Sequence, residues 1–299
     1  MSETIKRIIT GFSIAIIYAL FFQIELWNFL PLYLFVCAVT FIVINEFYSM
    51  YFTDKSSRVY KHLGTFFSII VLTFIYLQSL NIFRRSHDLG FDFLDHILDF
   101  IPEDFSAISG IFILMFVTLG VYNIIGARLK GSVYATGIVF LGILYIPLTL
   151  SFIFLLRSLP YGAFYVWLVS FCTVMTDVWG YTFGRLFGRH KISLPVSPNK
   201  TWEGYSGAFI AQIFFTMGFY YFVQLFFDVP DYGMWHLIGI SIIIYTTSVF
   251  GDLFESLVKR NADAKDSGSL LPGHGGLLDR VDSIMFSLPA FYFFVQITS

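Results

Sequence analysis

Charged residues are scarce in this 299-residue chain, and cysteine is nearly absent. Only 13% of the residues are Asp, Glu, Lys or Arg, whereas soluble globular proteins carry roughly 25%. Hydrophobic residues make up 57% of the chain and aromatic residues 20%. This deficit of charge excludes an ordinary water-soluble domain and favours a helical protein that crosses a membrane several times.

The two cysteines, Cys37 and Cys172, both lie inside apolar runs. Cysteine in such a run usually packs as a small core residue, and a disulfide or metal role is the less favoured alternative. The formal net charge of -2 says little about partners, and we expect no nucleic-acid partner. No internal repeat or low-complexity tail is evident.

Long apolar runs recur along the whole chain. A helix needs about 20 mostly apolar residues to cross a bilayer, and this rule predicts about nine spans. We therefore expect an all-α, polytopic integral membrane protein, with N-terminal transmembrane helices in 1–160 and a catalytic transmembrane region with two loops in 161–299. Pro147 should bend the fifth span. The predicted spans are 7–24, 29–50, 63–83, 107–125, 133–156, 162–183, 204–227, 235–253 and 281–297.

Lysine and arginine are unevenly distributed between the predicted spans. Of the 18 basic residues, Arg84, Arg85 and Arg157 fall on one side of the membrane, and all the others fall on the opposite side. Because basic residues concentrate on the cytoplasmic side, the N-terminus is predicted to be cytoplasmic. The two most polar inner loops, 184–203 and 259–278, then share the cytoplasmic face.

Acidic side chains gather at the ends of the last predicted spans. At the end of the eighth span, Asp252, either Glu255 or Ser256, and Lys259 recur at helical three-to-four spacing and so share one helix face. Asp279 and Asp282 are three residues apart at the start of the ninth span. Asp177 lies within the sixth span, where a carboxylate is usually paired, metal-bound or in a water-filled cavity. A single acidic pair is most often a solvated helix end, but oxygen ligands from several helices suit Mg²⁺.

Two loop segments have residues suited to anions. The turn from Leu271 to Gly276 contains Pro and three glycines around His274, so its backbone N–H groups can approach an anion closely. His274 either positions a phosphate or caps the turn. The other loop reads Ser-Pro-Asn-Lys-Thr-Trp-Glu from Ser197 to Glu203, and Lys200 is either a phosphate ligand or an ordinary positive-inside residue.

Together these residue types are typical of enzymes that handle polyphosphates at the membrane. Carboxylates bind Mg²⁺, lysine and arginine bind oxyanions, and nucleotidyl transfer depends mainly on positioning and on charge neutralisation. A transporter would also place acidic residues within spans, but it would not need both polar loops on one face, and the halves show no repeat symmetry.

The hydrophilic stretch from Gly251 to Ser283 resembles the signature of the phosphatidate cytidylyltransferases, or CDP-diacylglycerol synthases. The resemblance continues in the Ser197–Glu203 loop and at Gly251, so it covers roughly the C-terminal 40% of the chain. The residues that carry it are Ser256-x-x-Lys259-Arg260-x4-Lys265-Asp266-x-Gly268-x-x-Leu271-Pro272-x-His274-Gly275-Gly276-Leu277-x-Asp279-Arg280-Val281-Asp282.

This resemblance implies transfer of CMP from CTP to phosphatidic acid, which yields CDP-diacylglycerol and pyrophosphate. It also implies a homodimer in the lipid bilayer, a requirement for Mg²⁺, and K⁺ as a second ion. The short chain resembles the bacterial form of the family, so we expect it in the cytoplasmic membrane, with the active-site loops on the cytoplasmic side.

The resemblance also assigns roles to individual residues. Asp252 and Asp279 would be the principal metal carboxylates, supported by Asp282 and Asp177, although Val178 and Trp179 stand where the family commonly has small residues after that acid. The other residues assigned to catalysis and phosphate binding are Lys259, Arg260, Lys265, Asp266, His274 and Arg280. Those assigned to substrate binding are Ser197, Pro198, Asn199, Lys200, Thr201, Glu203, Gly275 and Gly276.

The predicted orientation can be tested by cysteine labelling in intact cells. The connection 228–234, between the seventh and eighth predicted spans, is predicted to lie outside. We therefore expect a membrane-impermeant maleimide to label Asp231→Cys directly and to label Lys191→Cys only after permeabilisation. The unsubstituted chain controls for reaction at Cys37 and Cys172. Labelling of Lys191→Cys in intact cells would reverse the assigned orientation.

Overall fold

The computed structural model describes residues 29–55, 57–84, 98–99, 101, 106–127, 130–268, 270 and 275–298. Across these ranges the fold is all-α and has no β-strand, and isolated bridges occur in the loop before α7 and at Gly275. The helices are α1 (Leu30–Tyr51), α2 (Arg58–Arg84), α3 (Ser106–Ile125), α4 (Ser132–Tyr145), α5 (Pro147–Arg157), α6 (Gly162–Phe187), α7 (Trp202–Gln224), α8 (Met234–Asn261) and α9 (Leu278–Thr298).

The described residues contain eight helical stretches that are long and apolar enough to cross a membrane. Each coincides with one of the predicted spans from 29–50 onward, so the expected polytopic all-α architecture is confirmed. The first predicted span, 7–24, lies outside the described residues. The largest difference is at α8, which continues beyond the predicted limit of 253 to Asn261. Its last two turns therefore carry Glu255 and Lys259 on a helix.

The fifth predicted span is interrupted at Pro147, as expected. Helix α4 ends at Tyr145, Ile146 adopts φ -104° and ψ -75°, and α5 begins at Pro147. Proline lacks the N–H that a helix needs at that point, and its ring crowds the preceding turn. The chain therefore crosses in two helical pieces that together run from Ser132 to Arg157.

The chain forms two compact units. One contains the described residues up to Leu159 together with the segment from Asp266 to Leu278, and the other contains Pro160–Lys265 and Asp279 onward. The predicted separation of functional regions at residue 160 stays a prediction.

In the first unit, helices α1, α2 and α4 pack around the ring of Tyr48. This side chain is fully buried, and its hydroxyl donates a hydrogen bond of 2.8 Å to the carbonyl of Val139. Gly64 of α2 and Gly142 of α4 make room for the ring, because a Cβ at these positions would lie 2.5 and 2.7 Å from its carbon atoms. Glycine is therefore required at both positions by packing.

In the second unit, helices α6 and α7 approach closely through glycine. A Cβ on Gly204 would lie 3.1 Å both from the carbonyl oxygen of Gly180 and from the Cα of Gly184. Small residues of this kind let membrane helices bring their backbones together. Farther along the same interface, the Cys172 thiol lies 3.4 Å from the Thr216 hydroxyl. Cys172 is a buried free thiol, in agreement with a packing role.

The packing around Tyr48 predicts the effect of adding one methyl group. Gly142→Ala should destabilise the protein by about 2 kcal/mol, because overpacking forces neighbouring groups to move. The matched control is Gly137→Ala in the same helix, where an added Cβ meets no atom within 4 Å. Thermal unfolding in detergent should show a lower Tm for Gly142→Ala only. Equal Tm values would contradict this account of the packing.

Candidate active site

The loop between α6 and α7 folds back on itself as a short hairpin. The Ile192 N–H donates to the Lys200 carbonyl at 2.9 Å, and the Trp202 N–H donates to the His190 carbonyl at 3.0 Å. Thr201 then caps α7, because its hydroxyl accepts the Gly204 N–H at 3.2 Å. The predicted substrate loop is therefore held at the start of a helix.

Glu203 anchors the beginning of this loop. Its carboxylate accepts the backbone N–H groups of Arg189 at 3.1 Å and His190 at 3.2 Å, and it also contacts the His190 ring. These bonds tie the first turn of α7 to the residues that leave α6. The sequence predicted a substrate contact for Glu203, and in the structure its carboxylate contacts the loop itself.

Helices α8 and α9 meet beside the predicted metal carboxylates. A Cβ on Gly251 would lie 2.7 Å from the Asp282 carbonyl oxygen and 3.0 Å from the Ser283 Cα. The backbones can approach this closely only because residue 251 has no side chain. Asp252 is thereby carried next to the first turns of α9, where Asp279 and Asp282 lie.

Two lysines pair with these carboxylates. Lys200 from the hairpin loop forms an ion pair with Asp252, and Lys259 lies 2.6 Å from both Glu255 and Asp279. The Glu255 side chain is only 1% exposed, so its charge depends on this lysine. Burial lowers the pKa of Lys200, and the charges of Asp177 and Asp282 partly offset this effect.

These elements enclose a cavity of about 540 Å³ within the second unit. Its walls contain four carboxylates from α6, α8 and α9, together with cationic and hydroxyl groups from α6, α9 and the hairpin loop. Eight predicted site residues line it: Asp177, Asn199, Lys200, Thr201, Asp252, Asp279, Arg280 and Asp282. The chemistry of this lining suits a polyanion that arrives with a hard cation.

The donor set fits Mg²⁺. Within the described ranges, no three His, Cys, Asp or Glu side chains gather into a ready-made metal cage. Mg²⁺ does not need one, because it usually binds one or two carboxylates and completes its octahedron with water and substrate phosphates. Asp252, Asp279, Asp282 and Asp177 supply oxygen donors in the cavity lining, so they can hold the ion together with a nucleotide.

The other predicted residues that the structure describes are not among those that line the cavity. Lys259 lies beside Asp279 as its cationic partner, and Arg260 donates a 3.2 Å hydrogen bond to the Ala264 carbonyl at the end of α8. Ser197 and Pro198 precede the lining residues of the loop. Lys265 and Asp266 are exposed, Gly275 has a positive φ of 80°, and Gly276 is buried. His274 lies outside the described residues.

Sequence reasoning missed several residues that line the cavity. Thr176, Tyr181 and Arg185 lie on α6 together with Asp177, and Arg185 donates a 3.1 Å hydrogen bond to the Tyr181 hydroxyl. The available signal was the Gly180-x-x-x-Gly184 spacing, which indicates a close helix contact. Arg185 follows this glycine pair directly and is thereby placed beside the loop that carries Lys200.

Comparison with known proteins identifies similar chains. A model of the cytidylyltransferase family matches residues 5–298. The phosphatidate cytidylyltransferases of Staphylococcus aureus (strain COL), Staphylococcus saprophyticus and Staphylococcus haemolyticus are 38%, 40% and 40% identical over 140 residues. The aligned stretch covers 47% of this chain and 52% of each relative. The chain thus spans about half the length of the curated relatives it matches.

The ion pairs of Lys259 predict a stability effect that does not depend on activity. Lys259→Met should destabilise the protein by about 3 kcal/mol, because it leaves the buried Glu255 charge without its partner. The double variant Lys259→Met/Glu255→Gln should recover part of this loss, and Lys191→Met, on an exposed loop residue, is the control. Thermal unfolding of all three variants decides the matter. A double variant as unstable as the single one would refute the dependence of Glu255 on Lys259.

Proposed function

Since the chain belongs to the cytidylyltransferase family, we propose that it transfers the CMP group of CTP to phosphatidic acid. The products are CDP-diacylglycerol and pyrophosphate. The observation that carries the proposal is the cavity in which four carboxylates face Lys200, Arg185 and Arg280. The phosphatidate cytidylyltransferase names of the relatives support the choice of acceptor.

The reaction is a substitution at the α-phosphorus of CTP. A phosphate oxygen of phosphatidic acid attacks this phosphorus, and the bond to the oxygen that bridges the α- and β-phosphates breaks. Pyrophosphate leaves with the bonding electron pair. The attacking phosphate monoester is already anionic, so the site needs no strong general base, and its main tasks are to position both substrates and to neutralise charge.

The basic side chains would hold the phosphates. Arg185, Lys200 and Arg280 line the cavity from α6, the hairpin loop and α9, so they can approach a triphosphate from three directions. Lys200 has a second role in this scheme. It pairs with Asp252, and it can exchange this carboxylate for a phosphate oxygen when the nucleotide enters. Asn199 and Thr201 flank it on the loop and provide polar contacts.

The carboxylates would hold Mg²⁺ against the nucleotide. Asp252 and Asp279 are the principal ligands in this proposal, with Asp282 and Asp177 in support, and bound Mg²⁺ would supply neutralisation of the negative charge that develops on pyrophosphate. The Lys259 Nζ lies 2.6 Å from Asp279 Oδ1 and holds this carboxylate in position. K⁺ as a second ion remains part of the expectation from the family.

The setting of the reaction is the bilayer. The helices described above make this an integral membrane protein, and phosphatidic acid would enter from the lipid phase. We further propose that the polar loops are cytoplasmic, where CTP is available. The membrane would be a bacterial inner membrane, and the protein would be a homodimer. The bacterial origin of the relatives supports the assignment of the membrane.

The proposed reaction is tested by pyrophosphate release from the purified protein in detergent. Release should require CTP, phosphatidic acid and Mg²⁺ together, and Asp279→Asn should lower it by about a hundredfold or more, because a metal-binding carboxylate is lost. The matched control is Asp263→Asn, an exposed acid that does not line the cavity. Release without phosphatidic acid, or full activity of folded Asp279→Asn, would contradict the proposal.

A further inference from the structure

Glu46 lies near the C-terminal end of α1, in the first unit, and it contacts the segment that precedes α9. Its Oε1 accepts the Leu277 N–H at 3.0 Å, and its Oε2 accepts the Leu278 N–H at 2.9 Å. The Ser267 hydroxyl donates to Oε2 at 3.2 Å. A single side chain thus binds both ends of the segment from Ser267 to Leu278.

Two glycines of the same segment pack against this carboxylate. A Cβ on Gly268 would lie 2.8 Å from Glu46 Oε1, and a Cβ on Gly276 would lie 2.7 Å from Oε2. A Cβ on Gly276 would also overlap the Ser267 hydroxyl oxygen. A larger residue at 268 would therefore displace the carboxylate, and one at 276 would displace both the Ser267 side chain and the carboxylate. Packing against Glu46 therefore requires glycine at both positions. This requirement is separate from the anion-binding role predicted for Gly276.

The contact falls at the N-terminus of the helix that carries the acidic residues. Helix α9 begins at Leu278, and the first N–H groups of a helix have no acceptor within the helix. The Glu46 carboxylate accepts the first of these, the Leu278 N–H, and also the Leu277 N–H just before the helix. Its negative charge is favoured at this positive end of the helix dipole. Asp279 follows Leu278 directly, and Asp282 lies one turn further along.

The chemistry of this contact requires a carboxylate. Each oxygen of Glu46 accepts a different backbone N–H, so both must be acceptors. A glutamine has the same shape, but its amide nitrogen would face one of these donors and leave it unsatisfied. A buried donor without an acceptor is unfavourable. Glu46 does not line the cavity, so any effect on the reaction acts through α9.

We propose that Glu46 is a positioning residue, which fixes the start of α9 and thereby the placement of Asp279, Arg280 and Asp282. The contact itself stands on the geometry alone, and its effect on the reaction rests on the proposed function. Mutation of a group that orients a metal ligand without binding the metal itself typically lowers metal affinity or activity by about 10- to 100-fold. Loss of the Glu46 contact should therefore raise the Mg²⁺ concentration that half-maximal activity requires. We expect the accompanying loss of overall stability to be small.

The experiment compares Glu46→Gln with Asn45→Ala in the full chain. Asn45 is the neighbouring residue, and its side chain donates a hydrogen bond to the Phe41 carbonyl of its own helix, so it controls for a polar change at the same helix end. Deuterium uptake of the peptides that contain Leu277 and Leu278 reports the contact without reference to activity. The Mg²⁺ concentration for half-maximal pyrophosphate release reports its effect on the site.

We expect amide exchange at Leu277 and Leu278 to become about tenfold faster in Glu46→Gln, because hydrogen bonds to a charged group are lost. We expect the half-maximal Mg²⁺ concentration to rise by about tenfold, with Asn45→Ala unchanged in both measurements. A merely structural role would lower the amount of active enzyme and leave its Mg²⁺ requirement unaltered. If Glu46→Gln fails to fold, Glu46→Asp keeps the charge, is shorter by one methylene, and should show the same changes in smaller degree.

Unchanged deuterium uptake in Glu46→Gln would overturn the contact. Faster exchange with an unaltered Mg²⁺ requirement would overturn the positioning role. A wild-type protein without CTP-dependent transfer would instead refute the proposed function, and the uptake comparison alone would then decide whether Glu46 holds the segment.

Discussion

Pairing of carboxylates with lysines is the interaction on which the candidate site depends. Glu255 is almost fully buried and Asp279 is 11% exposed, and unpaired charges at such positions are strongly unfavourable. Lys259 offsets both charges from one position, and Lys200 does the same for Asp252. Lys200 belongs to a loop and Lys259 to a helix, so the two ion pairs also join the hairpin loop and α9 to α8.

Glycine determines how closely the charged groups can approach. Gly251 lets α8 contact α9 at the level of Asp252, and Gly204 lets α7 contact α6 at the level of Gly180 and Gly184. With larger residues the helices would separate, and the carboxylates of three helices would not share one cavity. Glycine has the same role in the first unit, where Gly268 and Gly276 leave room for the Glu46 carboxylate.

Much of the fold could be predicted because hydropathy is a local property. A run of about 20 apolar residues has few alternatives to a transmembrane helix, so the predicted spans from 29–50 onward all correspond to helices. The interruption at Pro147 was predictable for a similar reason, since proline acts on its own turn. Hydropathy alone did not predict the extension of α8 to Asn261, because hydropathy falls where a helix leaves the apolar region. The helical spacing of Asp252 and Lys259 did indicate that the helix continues past this point.

The amino-acid sequence by itself determined the helices, their acidic and basic faces and the family to which the chain belongs. These properties follow from residues close together in the chain, such as Asp279 and Asp282 one helical turn apart. Only the tertiary structure decided that Lys200 pairs with Asp252, that Glu203 holds its own loop, and that Glu46 binds the start of α9. Each of these contacts joins residues that are distant in sequence or on separate elements, so no local pattern along the chain could reveal it.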